Sequence, residues 1–308
     1  MDRIDHMRVL VAVADAGNLA GAARRLGHSA PAVTRAVDQL EARIGAQLLV
    51  RTTRRVRFTD VGERFLADCR RLLAELDEAE AVAGGSFREP QGLLSVTASS
   101  MFGRLHITPL VLAFLASHAK VQVRTLFVDR IVHLVDEGYD VAVRIAHLPD
   151  SGLTAVRVGT VRRVMVASPE YLAANGEPRS LADLAGHVGI GFTPMGAASA
   201  PWALFPDGER AAVEVQTPLV ANTGEMAIAA AVAGRGLTRA LSYQVADDVM
   251  AGRLRLVMVD HEPPPIPVQL VYPAGRKAAA KVRLFVDMAV AKLRDLPVLN
   301  DTWTVRAL

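Results

Sequence analysis

The amino-acid sequence predicts an N-terminal, all-α winged helix-turn-helix with a long linker helix, followed by a C-terminal α/β domain. Two short helical patterns joined by a glycine lie before residue 45, a longer helical pattern begins at residue 60, and strand and helix patterns alternate after residue 92. The 308 residues, of which 51% are hydrophobic and 22% charged, suffice for more than one folded domain and are atypical of disorder.

The helix-turn-helix is predicted from its capping residues and its apolar spacing. Asn18 can cap one helix, Gly27 can form the turn after it, and Ser29 can cap the next helix, which Gly45 would end. The apolar residues of this second helix recur at helical spacing: Val33, Val37, Leu40 and Ile44. Residues 47–52 and 56–59 can then pair as a two-stranded wing.

Several of these segments carry a family resemblance. Residues 22–41, 48–52 and 58–63 resemble the DNA-binding domain of LysR-type transcriptional regulators, and residues 92–97, 134–145 and 167–172 are similar to the effector domain of that family. The resemblance covers nearly the whole chain. It implies a regulator that binds double-stranded promoter or operator DNA and a small-molecule effector and forms a homodimer or homotetramer, with RNA polymerase as a further candidate partner.

Seven residues are predicted to contact DNA: Ala30, Pro31, Thr34, Arg35, Arg51, Arg54 and Arg55. The first four match groove-facing positions of the family, where an arginine can bond guanine O6 and N7 and a threonine methyl can meet thymine. The wing arginines would bind phosphate or the minor groove. Ala30 departs from the glutamine of many relatives and lacks the group that reads adenine. The alternative is an ordinary solvated helix face.

The predicted linker helix offers a dimerisation seam. Phe65, Cys69, Leu72 and Leu76 recur at intervals of three and four residues, as in a coiled coil. The alternative is a helix packed on its own domain, and a second stripe that contains Leu66 could make that contact. We expect these domains: winged helix-turn-helix 1–59, linker helix 60–84, hinge 85–91 and effector-binding domain 92–300.

The C-terminal region is expected to have two lobes. The resemblance implies a periplasmic-binding-protein-like fold of type 2, with lobe I at about 92–162 and 266–300 and lobe II at about 163–265. A proline-rich run at 263–267 is typical of a return crossover between them. We also expect a largely parallel sheet and helices at 102–118 and 131–137.

Eight residues are predicted to bind the effector, which the resemblance suggests is anionic or aromatic: Ser99, Ser100, Met101, Arg144, Phe192, Thr193, Asn222 and Thr223. Most lie where a strand ends or a helix begins, and backbone N–H groups there favour anions. Several alternatives stay open. The hydroxyls can cap their own helices, Phe192 can be a core residue, and Arg144 can form a structural ion pair with Asp129 or Asp140.

The sequence offers no catalytic motif. The histidines lack metal-site spacing, no nucleophile elbow is present, and the single cysteine excludes an intrachain disulfide. We therefore expect no enzyme, no cofactor and no metal site. The N-terminus lacks a signal-peptide pattern, so we expect a cytoplasmic protein with no membrane partner. The rival hypothesis is an effector-independent or architectural DNA-binding protein whose C-terminal region only oligomerises.

Overall fold

The computed structural model describes residues 1–51, 56–83, 89–149, 152–194, 200–273 and 279–300. The chain divides into two compact units, Met1–Arg88 and Glu89–Leu308, here called the N-terminal and C-terminal units. The predicted hinge at 85–91 falls largely outside the described residues.

The N-terminal unit has the predicted order of elements: α1 (Arg3–Ala16), α2 (Leu19–Leu26), α3 (Ala30–Ile44), β1 (Leu49–Arg51), β2 (Val56–Phe58) and α4 (Asp60–Ala83). Asn18 caps α2 through a bond from Gly21 N at 2.7 Å, and Ser29 caps α3 through a bond from Ala32 N at 3.3 Å. The glycine that ends α2, Gly27, has a φ of 67°, which a side chain would strain.

The helices and the wing of this unit share one hydrophobic core. β1 and β2 pair antiparallel, as the wing prediction requires. The buried residues of the core are Val9, Leu10, Ala12, Val13, Ala22, Ala23, Val33, Ala36, Val37, Leu40, Leu48, Leu49 and Cys69. Since the apolar face of α3 lies in this core, its opposite face points outward.

Lobe I of the C-terminal unit is built on a five-stranded sheet of order β4-β3-β5-β14-β6. Its elements are β3 (Gly92–Ala98), α5 (Ser100–Phe102), a π-helical turn (Gly103–Ile107), α6 (Thr108–Ser117), β4 (Val121–Phe127), β5 (Val141–Ile145), β6 (Leu153–Val161), β14 (Ile266–Pro273), α10 (Ala280–Arg294) and a 3₁₀ turn (Pro297–Leu299). The chain leaves this lobe after β6 and returns to it in β14.

Lobe II is built on a second five-stranded sheet, of order β11-β8-β12-β7-β13, and on a separate hairpin of β9 and β10. Its elements are β7 (Arg163–Ala167), α7 (Pro169–Asn175), a 3₁₀ turn (Asp183–Gly186), β8 (Val188–Phe192), β9 (Trp202–Leu204), a 3₁₀ turn (Pro206–Gly208), β10 (Ala211–Val213), β11 (Gln216–Ala221), α8 (Gly224–Val232), β12 (Leu237–Leu241), α9 (Ser242–Met250), β13 (Arg255–Val257) and a 3₁₀ turn (Val259–His261).

Two expectations about this unit are wrong. Both sheets are mixed rather than largely parallel, because β14 pairs antiparallel with β5 and β6, and β7 pairs antiparallel with β12 and β13. Residues 131–137 form no helix: 131–133 are irregular and 134–138 form a turn. Within them, Glu137 accepts a bond from His133 N at 3.0 Å and ion-pairs with Arg130, and both interactions hold the turn closed.

Within the described residues, one helical run, Ser100–Ser117, is long and apolar enough to cross a membrane, with a mean hydropathy of 1.3 over its 18 residues. Phe102, Ile107, Leu110 and Phe114 of this run belong to the core of the C-terminal unit. We therefore interpret the run as a core helix.

Candidate nucleic-acid interface and ligand cleft

The first turns of α3 present the residues that were predicted to read DNA. Ala30, Pro31 and Arg35 are exposed, and Thr34 is half-buried. Arg35 Nε donates to Pro31 O at 3.4 Å, which lays the side chain along the first turn of the helix. All four therefore lie on or beside the outward face of α3, while Val33 and Val37 face the core.

The wing is described only in part. The Arg51 backbone ends β1, but its side chain lies outside the described residues, as do Arg54 and Arg55. Arg57, on β2, is exposed and pairs with Val50 across the wing. The phosphate contacts predicted for the wing arginines stay a prediction.

Glu41 connects α3 to the wing, a role that our sequence analysis missed. Its Oε1 atom accepts bonds from Leu48 N at 2.7 Å and Leu49 N at 2.9 Å, both at the start of the wing. The leucines themselves are fully buried. A glutamate seven residues before an apolar pair carries no sequence signal of this contact, because only the folded turn brings the two together.

Helix α4 packs partly on its own unit, which corrects the predicted seam. Cys69 is 0% exposed within the unit's core, and burial raises the pKa of its thiol to about 11. Phe65 and Leu66 pack against the same core. Cys69 therefore cannot face a partner chain, and the alternative of a helix packed on its own domain holds for this half of α4. Leu72, 41% exposed, remains available to a partner chain.

In lobe I, the predicted ligand-binding residues Ser99, Ser100 and Met101 join β3 to α5. Ser99 stands at the N-cap position, but its hydroxyl makes no capping bond. The N–H of Ser100 donates to Asp129 Oδ1 at 3.0 Å. One backbone N–H group at this helix start is therefore already hydrogen-bonded to a carboxylate of the protein.

In lobe II, the predicted residues surround the start of α8. Thr223 caps this helix, its hydroxyl accepting a bond from Met226 N at 3.3 Å, and Asn222 beside it is exposed. Thr193 follows β8 and donates its N–H to Ala221 O at 3.0 Å.

Side chains of the two lobes meet between these groups. A Cβ atom at Gly224, at the start of α8, would lie 3.3 Å from Met101 Sδ. The ring centroids of Phe102 and Tyr243 are 5.2 Å apart with an interplanar angle of 77°, and Arg104 Nε lies 3.7 Å from Glu225 Oε1. The fold therefore brings the segment 99–101 close to the segment 222–223, although they are more than 120 residues apart.

The remaining two predicted residues are placed differently. Arg144 Nη2 donates to Val132 O at 2.6 Å, so a backbone carbonyl already holds its guanidinium group. β3 and β5 are parallel neighbours whose last paired residues are Thr97 and Ala142, so Ser99 and Arg144 both lie two residues further along their strands' direction. Phe192 is half-buried and packs against the main core of the unit, as its core alternative required.

Comparison with known protein families identifies the family of this chain. Residues 4–63 match the bacterial regulatory helix-turn-helix protein, lysR family, and residues 87–294 match the LysR substrate binding domain. The chain belongs to the LysR family of transcriptional regulators. A LysR-family protein of this kind regulates transcription through DNA binding and is not an enzyme. Within the described residues, no group of three or more potential metal ligands is present.

Curated LysR relatives align along almost the full length of the chain. It is 35% identical over 286 residues to the transcriptional regulator PtxR of Pseudomonas aeruginosa, covering 92% of this chain and 91% of PtxR. It is 31% identical to CrgA of Neisseria meningitidis serogroup B, covering 94% and 96% of the two chains. The solved structure of CrgA from Neisseria meningitidis superimposes with a TM-score of 0.60 at 29% identity, covering 94% of this chain and 98% of CrgA.

Proposed function

We propose that this LysR-family regulator binds one operator sequence specifically through α3 and responds to a small-molecule effector held between its two lobes. Homo-oligomers would present two copies of α3 to the two halves of a pseudo-palindromic site. The proposed site of action is the cytoplasm, where RNA polymerase is a candidate partner. The observation that carries the DNA-binding part is the outward face of α3, on which Arg35 is exposed above a fully apolar inner face.

The proposed effector site comprises Ser99, Ser100 and Met101 of lobe I and Thr193, Asn222 and Thr223 of lobe II, with Arg144 and Phe192 at its margin. The meeting of the 99–101 and 222–223 segments supports this set. Carboxylates stand near both helix starts, Asp129 at Ser100 N and Glu225 in the first turn of α8. An anionic effector would therefore compete with Asp129 for an N–H donor, whereas an aromatic effector would need contact with Phe192.

An effector regulates only if it binds two states of the assembly with different affinity. The contacts of Met101 and Arg104 with α8 are interactions that a change in lobe spacing would alter. The rival proposal, an effector-independent architectural protein, predicts equal and salt-sensitive binding to any duplex.

We expect Arg35→Ala to weaken binding to operator DNA by about 1–3 kcal/mol while barely changing binding to scrambled DNA, because a base-edge contact carries sequence information and a phosphate contact does not. Gel-shift titrations at two salt concentrations, with duplex from the gene's own upstream region and a scrambled duplex of equal length, measure both affinities. Arg235→Ala, an exposed arginine of the C-terminal unit, is the charge-matched control. Equal losses on both duplexes would contradict base reading by Arg35.

We expect Leu72→Lys combined with Leu76→Lys to break the dimer that α4 forms, because two buried ammonium groups in an apolar seam carry a large desolvation penalty. Light scattering of the purified protein should show the assembly mass halved. Glu80→Lys, an exposed position on the same helix, is the control and should leave the mass unchanged. An unchanged mass in the double variant would show that α4 does not hold the protomers together.

A further inference from the structure

A pocket in lobe II lies apart from the proposed effector site. It is a shallow pocket open to solvent, with about 230 Å³ of empty space when the solvent at its mouth is included. Its lining includes Arg163 on β7, Arg239 on β12 and His261 in the 3₁₀ turn Val259–His261. The hairpin strand β9 contributes Ala203 and Leu204.

The pocket opens on the face of the lobe II sheet that points away from the main core. Val164 and Val166 of β7 belong to the main core, which also contains Met101 and Ala227. Met165 belongs instead to a second core with Trp202, Leu204, Leu237 and Met258. Because alternate residues of a strand point to opposite faces, Arg163 shares the side of Met165. Arg239 does too, since it stands directly opposite Met165 in the β12–β7 register.

Two half-buried arginine side chains line this pocket. Burial lowers the pKa of Arg239 to about 10, with a further contribution from the like charge of Arg163, whose own pKa is lowered by burial. Arg239 Nη1 donates to Ala203 O at 3.0 Å, and its Cζ lies 5.3 Å from the centroid of the Trp202 ring. These contacts fix Arg239 in place without neutralising it.

Within the described residues, neither Arg163 nor Arg239 forms an ion pair, and the Arg163 side chain has no hydrogen-bond acceptor. Glu262 also lines the pocket, and its Oε2 lies 3.2 Å from Arg162 Nη1. His261 Nδ1 is buried without a hydrogen-bond partner in the described part of the chain. Two like charges on paired neighbouring strands repel each other, and a bound anion would relieve that repulsion.

We propose that Arg163 and Arg239 form a second ligand site in this regulator, which binds a small oxyanion, either a carboxylate or a phosphate group. Guanidinium forks bind such groups through paired hydrogen bonds, and the open mouth of the pocket lets an anion reach them from solvent. The site does not rest on the effector proposal, because its residues lie on the opposite face of the sheet. It adjoins Pro263, where the chain returns towards lobe I.

The fluorescence of Trp202 can report anion binding at this site. The chain has two tryptophans, Trp202 and Trp303, so Trp303→Phe leaves Trp202 as the single indole, in contact with Arg239. We expect inorganic phosphate or acetate, titrated at constant ionic strength against chloride, to change the emission of Trp202 saturably. A response to phosphate alone identifies a phosphate site, a response to acetate alone a carboxylate site, and a response to both a general oxyanion site.

Variants decide whether the response arises from the arginine pair. Arg163→Met should lower the affinity for the anion by at least about tenfold, because it removes a charge-assisted contact. Arg235→Met should leave that affinity unchanged. Arg163→Met should unfold in chloride at no lower temperature than the parent, since it removes the repulsion between two like charges. If it fails to fold, Arg163→Lys replaces it in the experiment. Because lysine lacks the two-pronged guanidinium group, its affinity for the anion should be several-fold lower than that of the parent. No saturable response to either anion, or equal affinities in the folded Arg163 variant and the parent, would overturn the proposal.

Discussion

Replacing Gly62 with alanine is expected to destabilise the N-terminal unit by about 3 kcal/mol or more and to abolish specific DNA binding. Gly62 lies in the first turn of α4, where its N–H donates to Thr59 Oγ1 at 2.9 Å. A Cβ atom there would lie 2.0 Å from Leu48 O and 2.8 Å from Leu48 C. These are backbone atoms at the start of the wing, so no side-chain rotation relieves the clash. Either α4 or the wing must move, and both pack on the core that supports α3.

The distribution of aromatic residues allows the two units to be followed separately. Both tryptophans and all four tyrosines lie after residue 88, so their fluorescence reports only the C-terminal unit, while far-UV circular dichroism reports both units. Gly62→Ala should lose part of its helical signal early on heating and keep the parent's fluorescence transition. Val61→Ala, an exposed neighbour on the same turn, should change stability by no more than about 0.5 kcal/mol. Parent-like DNA affinity and dichroism in Gly62→Ala would refute the close contact with Leu48.

The N-terminal elements were predictable because their signals are local. Asn18, Ser29 and Gly27 act within a few residues of their own position, and α2 and α3 begin and end where these residues indicated. The apolar spacing of α3 likewise identified the face that is buried.

The errors arose where long-range contacts decide the structure. Residues 131–137 carry apolar residues at helical spacing, but Val132 and Leu134 instead pack with Tyr139 and Ala142 in a small separate core. The antiparallel direction of β14 follows from the return of the chain to lobe I, and neighbouring residues do not encode that direction. Cys69 fitted a seam in sequence, yet the fold buries it in its own unit.

The candidate sites likewise combine features that local sequence predicts with features that depend on long-range contacts. The segments 99–101 and 222–223 were recognisable as helix starts, whereas Glu41 gains its partners only when the turn after α3 has folded. The arginine pair of lobe II depends on the register of β7 with β12 and on the hairpin that covers it. In a linear sequence, Arg163 and Arg239 are ordinary strand residues 76 positions apart.

Replacing Glu41 with alanine is expected to destabilise the N-terminal unit by about 3 kcal/mol or more, because two charge-assisted hydrogen bonds are lost and two backbone donors are left without an acceptor. The donors are the N–H groups of Leu48 and Leu49, whose side chains lie in the core. The loss should appear as early melting of the helical signal, with reduced affinity for operator and scrambled DNA alike.

Glu41→Gln separates the hydrogen bonds from the charge. Its amide oxygen can accept from both N–H groups, so roughly half of the stabilisation should remain, since neutral hydrogen bonds are about half as strong as charge-assisted ones. Glu63→Ala, an exposed glutamate in the first turn of α4, serves as the matched control. The order of melting should therefore be Glu41→Ala first, Glu41→Gln second, and Glu63→Ala close to the parent. If Glu41→Ala melted with the parent, the wing would be held by its own strand pairing, and Glu41 would not be what orients it relative to α3.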